Sequence, residues 1–169
     1  YPSTKRACVP IGGMQEFGDT YWDTYAPVVN WMSVRLMMTF AEIHNLHSRS
    51  IDFTLAYPQA DVKTDNFMEL PLGCSVDDDK DRKEYLLKLI KNLYGLKDAG
   101  RTWFEHISKG LNELGFKTSA LDPCIFYKEG ILYSSMGVVA LIYVDDCLAF
   151  TEENETADQL IKDLMENYK

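Results

Sequence analysis

Two adjacent carboxylates, Asp145 and Asp146, interrupt the most hydrophobic stretch of this 169-residue chain, Gly137-Val138-Val139-Ala140-Leu141-Ile142-Tyr143-Val144-Asp145-Asp146-Cys147-Leu148-Ala149-Phe150. The apolar, β-branched run before the pair and the shorter run after it predict two strands, with Asp145-Asp146 at the tight turn between them. Aspartate suits turns through its own backbone hydrogen bonds, and a plain turn is one reading of the pair. Two neighbouring carboxylates also repel, so holding both beside a buried sheet favours a site that receives a cation. Magnesium is the natural candidate.

Phosphoryl transfer by two cations roughly 3.5–4 Å apart needs carboxylates from separate chain segments. Asp52 offers the second one, in Arg49-Ser50-Ile51-Asp52-Phe53-Thr54-Leu55-Ala56-Tyr57, which starts as a short strand and carries an aromatic five positions after the carboxylate. Tyr57 on its own could equally be an ordinary core tyrosine.

Tyr143-Val144-Asp145-Asp146 has the Tyr-x-Asp-Asp form that marks reverse-transcriptase palms. Lys88-Leu89-Ile90-Lys91-Asn92-Leu93-Tyr94-Gly95-Leu96-Lys97-Asp98-Ala99-Gly100-Arg101-Thr102-Trp103-Phe104 is similar to the Leu-Tyr-Gly-Leu-Lys-Gln-Ala-Pro-Arg-x-Trp signature of Ty1/copia-type retrotransposon polymerases. Tyr25-Ala26-Pro27-Val28-Val29, Glu69-Leu70-Pro71-Leu72-Gly73, Leu114-Gly115-Phe116-Lys117 and Leu121-Asp122-Pro123-Cys124 follow in that family's order, so the resemblance covers nearly the whole chain. Two departures stand out: Lys5-Arg6-Ala7-Cys8-Val9-Pro10 where the family reads Lys-Ala-Arg before an apolar pair, and Ala99-Gly100 in place of Ala-Pro.

The resemblance implies an RNA-directed DNA polymerase, a nucleotidyltransferase of a transposable element that adds deoxynucleotides to a primer 3′-hydroxyl. It implies Asp52, Asp145 and Asp146 as the catalytic set, with Asp52 and Asp145 holding two Mg2+ ions (Mn2+ as a substitute) and Asp146 supporting them electrostatically. Phe53 and Tyr57 would border the incoming nucleotide, Tyr57 packing under its sugar and excluding a 2′-hydroxyl. Gly95 and Lys97 would border nucleotide and template at a helix start. Lys5, beside Arg6, falls where family members hold the triphosphate, and Tyr143 and Val144 would support the hairpin. RNA template, DNA primer, deoxynucleoside triphosphates and the remaining polyprotein domains are the implied partners. An inactive retroelement remnant and an acidic protein-interaction module stay open as alternatives, because ancestry does not fix activity.

Composition bounds these readings. With 46% hydrophobic residues and no Pro/Gly/Ser-rich linker, the chain reads as one compact unit. The apolar run from Met136 to Val144 is too short to span a bilayer, and no basic-then-apolar signal opens the chain, so an intracellular protein is expected, cytoplasmic (in a virus-like particle) or nuclear and not secreted. Cys8, Cys74, Cys124 and Cys147 lack Cys-x-x-Cys spacing and form no recognisable ligand set with His44, His47 and His106, which sets zinc aside. A net charge of −9 opposes a polyphosphate partner, although residues 80–117 carry nine basic side chains against five acidic ones. That segment is either part of a nucleic-acid grip or a solvated charged face.

The elements that must position the site follow from periodicity. A helix is expected from Val28 to Leu46, with Trp31, Val34, Met38 and Ala41 on one stripe and Leu36, Phe40 and Ile43 filling in, packed beside the Asp52 strand. Tyr85 to Ile90 suits a strand. Asp98 stands where it could cap a helix from Ala99 to about Leu114, buried through Trp103, Ile107, Leu111 and Leu114 and ended by Gly115. Strands follow at Cys124 to Lys128 and Ile131 to Ser134 around a Glu129-Gly130 turn. A last helix is marked by the capping-box form of Thr156-Ala157-Asp158-Gln159 and an apolar face of Ala157, Leu160, Ile161, Leu164, Met165 and Tyr168. The order strand, helix, strand, strand, helix suits an α+β fold with a split βαβ (ferredoxin-like) core, the reverse-transcriptase palm with partial fingers of the resemblance, Asp52 and Asp145 meeting on adjacent central strands. The whole of 1–169 is then one reverse-transcriptase domain fragment: about 1–48 the fingers portion and first helix, about 49–169 palm-centred, without thumb, connection or RNase H.

Overall fold

A computed structural model of the chain describes residues 15–71, 85–129 and 137–168. The predicted strand at Ile131 to Ser134, the Gly130 end of its turn, Lys5 with its neighbours, Cys8 and Cys74 lie outside the described residues. Helix α1 (Trp31–Ile43) leads into strand β1 (His47–Asp52), a one-turn helix α2 (Ala56–Gln59), and a small antiparallel ribbon of β2 (Phe67–Glu69) and β3 (Leu86–Lys88). Helix α3 (Ala99–Glu113) follows, then β4 (Lys117–Thr118), β5 (Ile125–Lys128), β6 (Val138–Tyr143), β7 (Asp146–Thr151) and helix α4 (Asn154–Asn167). Five strands form one sheet in the order β1-β7-β6-β5-β4, every neighbouring pair antiparallel. Strands β1 and β6 therefore run parallel with β7 between them, and α3 lies in the connection that joins them. Among the described residues β1 is an edge strand, not a central strand as expected, and β2 and α2 had no periodic signal to announce them.

Alternation along the strands divides the core in two. Val138, Ala140 and Ile142 of β6 and Cys147 and Ala149 of β7 face Trp103, Ile107 and Leu111 of α3 and Leu160 and Leu164 of α4. Full burial of the valine, leucine and isoleucine side chains among these contributes about 1.5–3 kcal/mol each relative to exposure. Leu141, Phe150 and Val139 face the other way and meet Ala41, Val34 and Met37 of α1. The buried line of α1 is thus rotated from the expected stripe: Trp31 and Met38 are exposed, together with Met32, Leu36 and Ile43. Helix α1 covers residues of β5, β6 and β7 in place of the Asp52 strand.

Local chemistry explains most element ends. Asn30 Oδ1 accepts from Met32 N at 2.8 Å and starts α1. Asp98 occupies the cap position of α3 without making a side-chain cap; its Oδ1 instead accepts from Gln15 Nε2 at 3.4 Å. The helix ends as expected at Gly115, whose φ of +88° lets Gly115 N reach Asn112 O and Phe116 N reach Leu111 O, the two bonds of a Schellman turn. Helix α4 begins before the capping box, at Asn154, because Thr151 Oγ1 donates to Glu153 O at 2.7 Å and turns the chain there. Met165, expected on the buried face, is exposed.

Candidate active site

The pairing of β6 with β7 places Tyr143 opposite Asp146, so the turn consists of Val144 and Asp145 and Asp146 opens β7. The turn therefore falls one residue earlier than the sequence suggested. On the other side of β7, Asp146 stands directly opposite Asp52, the last residue of β1. The register of two strand pairs thus collects all three carboxylates at one end of the sheet.

Val144 has φ +53°, a left-handed conformation unfavourable for a β-branched residue and worth about 1–3 kcal/mol of local strain. Three hydrogen bonds hold the turn in that shape. Trp103 Nε1, from the buried face of α3, donates to Val144 O at 2.7 Å; Phe53 N donates to Asp145 O at 2.8 Å; Tyr94 Oη donates to Asp145 Oδ2 at 3.1 Å. Asp145 Oδ1 is buried and, among the described residues, has no hydrogen-bond partner. Burial raises the Asp145 carboxyl above the ordinary carboxylate range; the Tyr94 hydrogen bond opposes the rise, and the charges of Asp52 and Asp146 add to it. Such a group is relieved by a cation.

Tyr57, on α2 and half-buried, stacks on Tyr94 with ring centroids 4.6 Å apart and planes at 27°. Burial, then the Asp145 charge, raises its hydroxyl. Burial and the bond to Asp145 push Tyr94 to about 12, so it remains a proton donor through the physiological range. Leu55, with φ +54°, makes the sharp entry from the Asp52 strand into α2 and brings Tyr57 back towards the carboxylates.

Other expected residues are placed differently. The Phe53 ring is in the core, 5.5 Å from the Trp103 ring and 5.7 Å from that of Tyr168, so only its backbone is at the site. Strand alternation is the reason: with Asp52 on one face, its neighbour points to the other. Gly95 takes φ +106° in the turn before α3, a conformation that glycine alone adopts without strain. Lys97 Nζ donates to Gln15 O at 3.0 Å and lies over the Tyr21 ring at 4.8 Å, and it makes no ion pair with the three carboxylates. Tyr143 is exposed beside Asp146. Sequence reasoning missed the roles of Tyr94 and Trp103, whose only signal was that they are the two polar aromatics of the Lys88–Phe104 block.

Most described cations of the basic segment are neutralised at home. Lys88 pairs with Asp65 at 2.6 Å, Lys91 with Asp61 at 2.7 Å, Lys117 with Glu129 at 2.8 Å and Lys109 with Glu113 at 3.8 Å, while Arg101 joins Asp23 and Glu105. These pairs are exposed on both sides, as on a solvated charged face. Among the described residues no three His, Cys, Asp or Glu side chains close into a metal cage. A cation at Asp52 and Asp145 would complete its shell with water or substrate oxygens, as magnesium does. The unpartnered Asp145 oxygen and its like-charged neighbours fit such an ion. Among the described residues no helix is long and apolar enough to cross a membrane.

Comparison with known proteins bears on the same residues. A family model described as reverse transcriptase (RNA-dependent DNA polymerase) matches residues 3–169. The retrovirus-related Pol polyprotein from transposon RE1 of Arabidopsis thaliana is 34% identical over 85% of the chain. That from transposon TNT 1-94 of Nicotiana tabacum is 27% identical over 97%, and the transposon Ty1-ER2 Gag-Pol polyprotein of Saccharomyces cerevisiae is 26% identical over 86%. The chain spans only 9%, 12% and 8% of those three relatives. No solved structure matches.

Proposed function

Because this chain belongs to the reverse transcriptase family of Ty1/copia-type Pol polyproteins, we propose that it forms the palm and part of the fingers of such an enzyme and carries its nucleotide-adding centre. The observation that carries this reading is the register that sets Asp52 opposite Asp146 with Asp145 next to it, one Asp145 oxygen buried and unpartnered. In the reaction the primer 3′-oxygen bonds to the α-phosphorus of a deoxynucleoside triphosphate, the bond to pyrophosphate breaks, and the hydroxyl proton leaves to solvent.

Asp52 and Asp145 would hold the two magnesium ions, whose chemistry is to lower the pKa of the 3′-hydroxyl and to neutralise charge on the leaving pyrophosphate. Asp146 adds negative potential from β7. Tyr57, steadied by its stack on Tyr94, is positioned to lie under the sugar and crowd a 2′-hydroxyl. The backbone around Phe53 and Gly95 would border the nucleotide; a triphosphate contact by Lys5, which lies outside the described residues, is assigned by the family resemblance alone. RNA template, DNA primer and the other domains of the polyprotein are the partners of this centre, working in a virus-like particle or the nucleus. Extension of a DNA primer on an RNA template tests the reading: incorporation should follow template complementarity and require magnesium, and template-independent or magnesium-independent addition would refute it.

One observation favours the interaction-module reading as a second component. Trp31, Met32, Leu36, Met38 and Ile43 of α1 are exposed large apolar residues, with the exposed Arg35, Thr39 and Glu42 among them on the same side. Sedimentation across a concentration series should show association through that side, weakened by Leu36→Glu.

A further inference from the structure

The block from Tyr94 to Trp103 resembles a nucleotide- and template-bordering motif, yet its two polar aromatics both end on the Val144-Asp145 turn. Trp103 Nε1 takes the Val144 carbonyl at 2.7 Å and Tyr94 Oη takes Asp145 Oδ2 at 3.1 Å. The turn needs such support, because a left-handed valine does not hold itself in place. The main-chain contacts from Trp103 and Phe53 fix where Asp145 sits, but they leave its side chain free to rotate. Among the described residues Tyr94 supplies the only side-chain hydrogen bond to that carboxylate, and the Tyr94 ring is itself held by the stack on Tyr57.

We infer that Tyr94 is a positioning residue: its hydroxyl engages one oxygen of Asp145, sets the plane of the carboxylate, and leaves Oδ1 the oxygen without a protein partner among the described residues. The inference rests on the two-carboxylate reading above and adds to it the residue that orients the ligand. It also couples two properties that would otherwise be separate. Tyr57, which would judge the sugar, and Asp145, which would hold the ion, are joined through a single side chain.

The test is a magnesium titration of the whole chain, read by thermal unfolding and by single-nucleotide addition, on the parent, Tyr94→Phe and Asp145→Asn. Phenylalanine keeps the ring on Tyr57 and removes only the hydroxyl. Loss of an orienting partner costs metal affinity about 10-fold or more, so Tyr94→Phe should raise the magnesium midpoint by about that factor in both readings. Its melting temperature without metal should stay near the parent's, and its rate should recover at high magnesium. A lowered metal-free melting temperature with an unmoved midpoint would show a merely structural tyrosine and overturn the inference. If the parent shifts with magnesium, Asp145→Asn does not, and Tyr94→Phe matches the parent, the inference fails alone. If the parent and Asp145→Asn respond identically, the two-carboxylate reading fails with it.

Discussion

Asp145 carries an electrostatic conflict, a carboxylate raised by burial and crowded by Asp52 and Asp146. Neutralising it should relieve the fold while removing the chemistry. Asp145→Asn is expected to abolish nucleotide addition and, in metal-free buffer at neutral pH, to melt at or slightly above the parent's temperature; a clear drop would show that the charge is stabilising. Tyr57→Ala should relax discrimination against ribonucleotides, measured as the ratio of kcat/KM for matched deoxy- and ribonucleotides, and an unchanged ratio would remove Tyr57 from the sugar. The approach of Asp52 to the Asp145-Asp146 pair was legible in the sequence through the family resemblance, and the same resemblance pointed to Tyr57, which the fold sets on Tyr94 beside Asp145. Tyr94 and Trp103 were not legible, since a hydrogen bond from a distant ring to a turn leaves no periodic trace. Alternation from Asp52 sends the Phe53 ring into the core, so only its backbone is left to border a nucleotide.

Among the elements, the strand-turn-strand around the carboxylates and the span of α3 followed from apolar runs and from Gly115, whereas helix faces and starts were less secure. Apolar residues of α1 extend over much of its circumference, interrupted by Ser33, Arg35, Thr39 and Glu42, so periodicity did not single out the Val34, Met37 and Ala41 side that the sheet takes. Its N-terminus is tied across the fold by Asp122, which accepts from Asn30 N at 3.0 Å, Ser33 Oγ at 2.8 Å and Cys124 N at 3.0 Å. Burial opposes ionisation of Asp122, but these bonds outweigh it and hold its carboxyl below the ordinary 3.8. A depressed folded pKa means stability present above 3.8 and lost as pH falls through the folded value. Asp122→Asn should therefore cost about 1–3 kcal/mol in urea unfolding at neutral pH, with a smaller difference from the parent in acid. A constant difference across that range would contradict the linkage. Helix α4 docks on α3 by setting Tyr168 over Gly110, where an added Cβ would fall 1.6 Å from the Tyr168 hydroxyl oxygen. Gly110→Ala should destabilise by about 1–2 kcal/mol, overpacking exceeding the helix-propensity gain. In a Tyr168→Leu background the same change should become neutral or stabilising, and equal costs in both backgrounds would locate the strain elsewhere.

At the scale of the molecule, the α+β class and the split arrangement of β1, β7 and β6 were legible from element order, but the position of β1 at the sheet edge was not, because pairing partners are chosen by tertiary packing. The charge pattern likewise changed meaning once folded. Lys88, Lys91, Arg101, Lys109 and Lys117 spend their charge on acidic neighbours in exposed pairs of small individual worth. The chain alone should accordingly bind a primer–template weakly, with Kd of about 10⁻⁴–10⁻⁶ M at physiological salt, and fluorescence anisotropy giving nanomolar binding there would contradict it. The most direct test of the central claim is single-turnover addition of one templated deoxynucleotide, compared among the parent, Asp52→Asn, Asp145→Asn and the surface control Asp158→Asn. The account predicts measurable addition by the parent and the control and none by the other two, all four being folded. Addition surviving loss of either Asp52 or Asp145 would contradict it.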